Sequence, residues 1–512
     1  MENHYLLGVD IGTYSSKGVL VTESGYIVAS SIAEHSLSIP EPGRAEHDAE
    51  KIWWSDFRRI CRDLLAASGI DPLQIAGIGV STISPAVVPV DEAGIALRPA
   101  ILYGIDTRAT REIKEIEHTT GVHLSSQFAS PKVMWIRRNE PEVWARTRQI
   151  VNGSGFIVMR LTGENTVDIY DAAAFIPYFD VHSQGWVAEL SSLVAPVQMM
   201  PRPTWTCEVA GRVTAEAARA TGLATGTPVI TGTADAAAEA ISAGLTDVGD
   251  LMVMYGSSTF FILLTKELLA MKRFWGGRFL SPDTYMVAGG TATAGSLTRW
   301  FRDEFGHPEM ANERAGGQNA YEALASLASS SPLGARGLLV LPYFSGERTP
   351  LHDPYAKGMF FGLTLSHTRS DIYRGILESV GYSIRHNIDA LGEEGCRPSR
   401  ILAVGGGTRN PFWMQIVSNI AGIRQLVPEQ QIGASFGDAF LAGVGVGLFS
   451  DLKHVSRWVR LKEPVQPDPA AQKVYDDFYR LYLELYTRNA AAMRELSTFA
   501  YRDAPTRTTE IR

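Results

Sequence analysis

Two stretches far apart in the chain share one pattern, and that pattern limits the folds open to it. LGVDIGTYSSKGVLV (residues 7–21) and LMVMYGSSTFFILLT (residues 251–265) each run from an apolar strand through a glycine turn and a cluster of hydroxyls into a second apolar strand. Each is expected to form a β-hairpin whose turn offers backbone N–H groups and small hydroxyls to an anion. Two such hairpins facing one another, one in each half of the chain, would clamp an anionic ligand; two unrelated hairpins with glycine turns are the alternative. The copies differ at one place. Asp10 aligns with Met254, so only the first hairpin carries a carboxylate.

At 512 residues the chain exceeds the size at which one hydrophobic core keeps growing, so two or more domains are expected. With 45% apolar and 20% charged residues, the composition is neither disordered nor fibrous. A net charge of -8 leaves no basic footprint for nucleic acid or an anionic membrane surface, so an anionic ligand would need local donors. The three cysteines, Cys61, Cys207 and Cys396, have no C-x-x-C spacing, which argues against structural zinc and a disulfide framework and fits the cytosol. The chain does not open with a basic stretch followed by an apolar one, and no apolar run approaches the roughly 18 residues of a membrane span. A cytoplasmic protein with neither nucleic-acid nor membrane partner is the expectation.

Short apolar runs flanked by glycine alternate with helical patterns: IAGIGV (75–80), TPVITGTAD (227–235), GDLMVMYGSS (249–258) and ILAVGGG (401–407). This alternation points to an α/β protein. Helices are expected at 49–67, capped by Asp48, at 370–391, at 412–421 and at about 470–497. In the last, Tyr475, Phe478, Tyr479, Tyr482 and Tyr486 fall at helical spacing and read as core packing rather than a ligand cage. A boundary within 245–249 divides the chain into domains 1–246 and 247–512.

Phosphoryl transfer requires donors for the phosphates, a metal to neutralise charge and a base for the attacking hydroxyl. Gly12, Thr13 and Ser15, then Gly256 and Ser257, then the glycines at 405–407 are candidate donors. The last group forms a strand-to-helix turn, where a helix start offers free N–H groups, although it matches neither the Walker A loop nor G-x-G-x-x-G. Asp10 at a strand end is the candidate for Mg²⁺, an ion that takes few carboxylates and keeps several waters; an Asx-turn or hairpin-end cap is the other reading. Asp235 follows a strand and a small-residue turn, just before AAAEAISAG, and reads as a general base or as the N-cap of that helix.

Ten stretches, in one order, resemble the FGGY family of carbohydrate kinases within the actin-like ATPase superfamily. They are DIGTYSSKGVL (10–20), AEHDAEKIWW (45–54), LRPAILYGIDTRA (97–109), PKVMWIRRNEP (131–141), RLTG (160–163), TGTADAAAEAISAG (231–244), YGSSTF (255–260), LPYFSGERTPLHD (341–353), GMFFGLTLSHTRSDIYRGILES (358–379) and GGGTRNPFWMQIVSN (405–419). The resemblance covers nearly the whole chain. It implies a two-lobed actin-like ATPase fold, each lobe built on a ribonuclease-H-like core, with ATP, Mg²⁺ and a sugar meeting in the cleft between lobes. By the same resemblance Asp10 holds Mg²⁺ through water, Thr13 contacts the γ-phosphate and Asp235 is the general base. Gly256 and Ser257 fall on the second phosphate hairpin, and Gly406, Gly407 and Asn410 where the family binds the α-phosphate and adenosine. Tyr103, Asp106 and Arg108 match a W-x-D-x-R region on the sugar side, with tyrosine in place of tryptophan, and Gln127 and Phe260 fall at positions that line the sugar pocket.

Which sugar is less sharply marked. In GIGVSTISPAVVPVD (77–91), Ile83, Ser84 and Pro85 stand where many xylulose kinases carry Gln-Met-His, which removes two polar side chains from that wall and leaves Ser84. Gln127, Ala129 and Gly375 also depart from the family signatures. The xylulose-kinase branch is nonetheless the nearest in context, with ribulose, gluconate, glycerol or another polyol as alternative substrates. An actin-like ATPase acting as chaperone or filament, or a silent sugar sensor, would be different classes of function; Asp106, Arg108 and PKVMW argue against the first, and Asp10, Thr13 and Asp235 against the second. A homodimer is the expected assembly. SGERTP (345–350) reads as a structural turn. The histidines, His35, His47 and His367 among them, form no i, i+4 pair that would suggest a metal site.

Overall fold

The computed structural model describes residues 4–430 and 432–500. The repeated stretches form the hairpins at the centre of two mixed sheets. In the first, β1 (Tyr5–Ile11) and β2 (Ser15–Thr22) pair so that Asp10 lies opposite Lys17, and β3 (Ile27–Glu34) continues the antiparallel run. After helix α1 (Ser55–Ser68), β4 (Ile75–Thr82) returns parallel to β1. Strands β5 (Val209–Arg212), β6 (Pro228–Ile230) and β7 (Thr233–Ala234) complete the sheet in the order β5-β6-β4-β1-β2-β3, with β7 also on β4.

The second sheet repeats this plan with β8 (Asp250–Tyr255), β9 (Thr259–Thr265), β10 (Trp275–Arg278), β11 (Tyr285–Gly290), β12 (Arg400–Val404) and β13 (Gln425–Leu426), in the order β10-β11-β9-β8-β12-β13. Thus β3-β2-β1-β4-β6 and β11-β9-β8-β12-β13 are the same arrangement: three antiparallel strands, then strands parallel to the first strand of the hairpin. Parallel returns need long crossovers, and the chain supplies them as helices, α1 before β4 and the long helix Arg369–Glu393 before β12.

The expected helices occur, with one difference. Asp48 does cap its segment, accepting the N–H groups of Glu50 (3.1 Å) and Lys51 (3.0 Å), but Ala49–Trp54 is a widened π-type turn and α1 begins only at Ser55. The wide turn puts the adjacent Trp53 and Trp54 into the core together. In the C-terminal helix Pro469–Ala500, Tyr475, Tyr479 and Tyr482 are buried core residues, and Tyr482 Oη lies 2.7 Å from Tyr343 Oη.

Strand alternation decides what faces the cleft. Leu7, Val9 and Ile11 point to the core under α1, whereas Leu6 joins a separate core that spans both sheets. Gly8 and Asp10 therefore share the Leu6 face of β1. That face is covered by the apolar helix Ala434–Gly445, which comes from the far end of the chain. Its backbone lies against the first sheet so closely that a Cβ on Gly8 would stand 1.9 Å from the Ser435 carbonyl oxygen, and one on Gly79 would stand 2.1 Å from that of Asp438. It also crosses helix Asp235–Ser242 at Gly437. With these two helices now introduced, α2 denotes Asp235–Ser242, α3 Arg369–Glu393, α4 Pro411–Ala421 and α5 Ala434–Gly445. The strands of the first sheet all precede α2 and those of the second all follow it, but α5 returns from the second half to pack on the first sheet.

Candidate active site

The α5-facing side of β1 and β4 carries two polar residues in register, Asp10 and Ser81. The Ser81 hydroxyl is 2.7 Å from Asp438 Oδ2 on α5 and 3.4 Å from Asp10 Oδ1, so its one proton goes to Asp438. Asp235 opens α2, with Glu239 one turn on. The N-cap is Ala234, and Asp235 Oδ1 accepts only the neighbouring Ala236 N–H at 2.7 Å, so the capping reading of Asp235 is not the one the structure adopts. The Asp10 carboxylate likewise accepts no turn N–H among the described residues and lies against the Ser81 hydroxyl.

Burial raises all four carboxyls: Asp10 to about 6, Glu239 to about 7, and Asp235 and Asp438 well above the usual carboxylate range. For the last three the next cause is the negative charge of Asp10, while Lys17 opposes the rise at Asp10 and Glu239. A cluster this short of positive charge suits a cation, and Asp438 Oδ1 is buried with no hydrogen-bond partner. Among the described residues no three His, Cys, Asp or Glu side chains converge as ligands. Mg²⁺ takes one or two carboxylates and otherwise keeps water and phosphate oxygens, and the buried Asp10 carboxylate with its unpartnered neighbour Asp438 Oδ1 is chemically compatible with such an ion.

The two candidate phosphate turns fall one on each sheet, and each uses its glycine N–H internally. Gly12 N–H bonds to the Ser15 carbonyl at 3.0 Å, closing the turn between β1 and β2, and Gly256 N–H does the same to Ser258 at 3.0 Å between β8 and β9. A cavity of about 1080 Å³ opens beside the second turn, and Gly256, Ser257, Gly406, Gly407 and Asn410 all line it, together with Gln318, Tyr321 and Phe412. The glycine run has a steric reason at its first member. Gly405 adopts φ +89°, and a Cβ there would stand 2.8 Å from the Tyr255 carbonyl oxygen, so glycine lets the turn after β12 press against β8. Asn410 caps α4, its Oδ1 accepting Trp413 N–H at 3.1 Å.

The residues that the sequence assigned to the sugar differ in how they are engaged. Tyr103 Oη is 3.2 Å from Thr13 Oγ1, and burial, then the Thr13 contact and the nearby Asp235, shape its raised pKa. Gln127 Oε1 accepts Gly104 N–H at 3.2 Å, on a loop fixed by Lys132, whose ammonium caps the Ser126 and Phe128 carbonyls. Phe260 sits half-buried at the start of β9 in the core between the lobes. The Ser84 hydroxyl is bonded to Asp171, whose other oxygen takes Asn152 Nδ2–H at 2.7 Å. Asp106 and Arg108 are engaged with each other. Their side chains are 0% and 2% exposed, Arg108 also binds Glu46 at 2.8 Å, and its guanidinium lies over Trp135, so this pair braces the loop rather than opening onto the cleft.

SGERTP is sewn into the second lobe, with Glu347 Oε1 accepting Ala292 N–H at 2.7 Å and Arg348 donating to the Thr291 carbonyl at 2.6 Å. Models of two domains match the chain: the N-terminal domain of the FGGY family of carbohydrate kinases over residues 5–242, and the C-terminal domain of that family over residues 251–446. The chain belongs to the FGGY family of carbohydrate kinases. The xylulose kinase of Staphylococcus epidermidis is 28% identical over 508 residues, 97% of this chain and 99% of the relative. Glycerol kinase 1 of Pseudomonas aeruginosa is 30% identical over 478 residues, 89% and 93% of the two chains. Among solved structures, the xylulose kinase from Rhodospirillum rubrum superposes with a TM-score of 0.86 at 34% identity, covering 96% of this chain and 100% of that one. This FGGY member is therefore an ATP-dependent carbohydrate kinase with the two-lobed actin-like ATPase fold, and the repeated five-strand arrangement is the core of each lobe. No helix among the described residues is long and apolar enough to cross a membrane.

Strand-end reading passes over three residues, two of which carried a signal. Asp438 is the only charge in α5, an otherwise apolar helix, and Glu239 follows Asp235 at i, i+4 in a helix of alanines. Asp171 lies within IYDA, just after β-strand Thr166–Asp168, where nothing local separates it from a surface acid.

Proposed function

We propose that this FGGY kinase transfers the γ-phosphoryl group of ATP to a hydroxyl of a pentulose, D-xylulose first, with Asp235 as the general base. The observation that carries the base assignment is the placement of Asp235: a half-buried carboxylate at the start of α2, not used as its cap, beside the Asp10 that fits Mg²⁺. Its raised pKa makes it a stronger acceptor for a hydroxyl proton than an exposed aspartate, and its ionised form is the one that works. With the Gly12 and Gly256 N–H groups closing their own turns, the Thr13 and Ser257 N–H groups hold the phosphate oxygens, and the cavity beside Gly406, Gly407 and Asn410 takes the rest of the nucleotide. Mg²⁺ at Asp10, when bound, neutralises charge on the phosphates. Tyr103, Gln127 and Phe260 border the sugar.

The choice of D-xylulose rests on full-length relatives that are xylulose kinases, including one of known structure at 34% identity. A coupled ATP-depletion assay over D- and L-pentuloses, gluconate, glycerol and other polyols tests it. Turnover with a pentulose well above all others is the expected result; turnover confined to glycerol or gluconate would replace the substrate while keeping the chemistry.

A further inference from the structure

We infer that His35 is a positioning residue for the first phosphate turn: it locks the Gly12–Thr13 peptide with its carbonyl turned inward and the Thr13 N–H turned toward the anion. His35 follows β3 directly and its side chain is 6% exposed. Its Nε2 lies 3.1 Å from the Gly12 carbonyl oxygen, and its Nδ1 lies 2.8 Å from Asp56 Oδ2 in the first turn of α1. That same Oδ2 accepts the Ser16 hydroxyl at 2.8 Å, so Asp56 accepts from His35 Nδ1–H while Nε2–H donates to the Gly12 carbonyl; with an acceptor at each nitrogen, the ring makes both bonds as the doubly protonated imidazolium. The ring is thus aimed by an acid on one side and aims a peptide on the other.

The His35 backbone adds a second hold on the turn, its N–H donating to the Tyr14 carbonyl at 3.0 Å. His47 lies beneath Thr13, its ring 5.1 Å from that of His35; Nδ1 accepts Trp53 Nε1–H at 3.1 Å, and burial, then the nearby His35, lowers it to about 4. The carbonyl side of the turn is therefore lined with two imidazoles.

A trans peptide is planar, and its C=O and N–H point in opposite directions. Drawing the Gly12 carbonyl onto His35 directs the Thr13 N–H away from the protein. The flipped peptide, open to a glycine, would instead present a carbonyl oxygen to a phosphate, replacing attraction with repulsion. The Asp56–His35 pair opposes that flip. Neither residue belongs to the stretches that resemble the family's phosphate hairpin, and both side chains are nearly closed off from solvent.

The inference rests on the reading of Thr13 as a phosphate contact, and the test separates the two. Full-length protein labelled with ¹⁵N-threonine is titrated with Mg²⁺ and a non-hydrolysable ATP analogue, the Thr13 amide signal being assigned by its loss in Thr13→Ser. In the wild type this signal shifts on titration. In His35→Leu the shift is lost and KM for ATP rises about tenfold or more, as expected for a lost hydrogen bond to a charged group, while KM for the sugar stays within about twofold. His35→Gln, whose amide can still donate to Gly12, restores KM for ATP to within about threefold of wild type. An intact Thr13 response with unchanged KM for ATP in His35→Leu overturns the inference. A Thr13 signal silent in the wild type overturns the phosphate-contact reading instead. Where His35→Leu fails to fold, Asp56→Ala frees the same ring; an unchanged KM for ATP in that folded variant also overturns the inference.

Discussion

Burial raises the Asp10 carboxyl from 3.8 to about 6, because the charged form loses water at the end of β1 and Lys17 and Ser81 compensate only in part. Between these two values the folded protein binds more protons than the unfolded chain, so folding stability falls as pH rises through that window, and the loss is complete above it. Asp10→Asn removes the cost. Without nucleotide, the variant should be more stable than wild type at pH 7.5 by on the order of 1–3 kcal/mol, the difference should vanish near pH 4, and sugar phosphorylation should be lost at both. Urea unfolding at the two pH values checks this, and a variant no more stable at pH 7.5 would contradict it. Strand ends and small-residue turns marked Asp10 and Asp235 as candidates in the sequence, and the family resemblance supplied the roles proposed for them. Asp438 was not so marked, since only the packing of α5 on β4 brings it to Ser81. Asp106 and Arg108, two residues apart, close on one another, and no spacing rule distinguishes such a pair from two residues facing a sugar.

At the level of elements, the strands were legible from glycine-bounded apolar runs and the helices from periodicity, while the widened turn at Ala49–Trp54 answers a packing demand of two adjacent tryptophans that periodicity does not encode. The crossing of α2 and α5 depends on Gly437. In an isolated helix, alanine in place of glycine would add up to about 1 kcal/mol of helix propensity. Here its Cβ would stand 2.0 Å from the Ala238 carbonyl oxygen and 3.2 Å from Ser242 N, both backbone atoms that cannot step aside singly. Overpacking of that kind costs about 1–3 kcal/mol or more, so the contact outweighs the propensity. Gly437→Ala should unfold at lower urea concentration and lose turnover as the two lobes shift on each other; a variant at or above wild-type stability would contradict the close crossing.

For the whole molecule, the repeated hairpin foreshadowed two lobes, and the sheets carry the repeat through five strands. The return of α5 to the first sheet was not legible, because the glycines that admit it, Gly8 and Gly79, look in sequence like any strand glycine. This return joins the lobes through one core containing Leu6, Ile241, Met252, Ile262 and Phe440, with the carboxylate cluster at its cleft end. Cleft closure around both substrates would exclude water, so ATP consumption without sugar should stay far below that with the preferred sugar. The central claim is that Asp235 takes the proton of the attacking hydroxyl. Single-turnover phosphoryl transfer from ATP to the preferred sugar, measured for wild type and Asp235→Asn alongside nucleotide affinity, tests it most directly. The account predicts a rate lowered by roughly 10²–10⁴-fold with ATP affinity nearly unchanged; transfer by Asp235→Asn at the wild-type rate would contradict it.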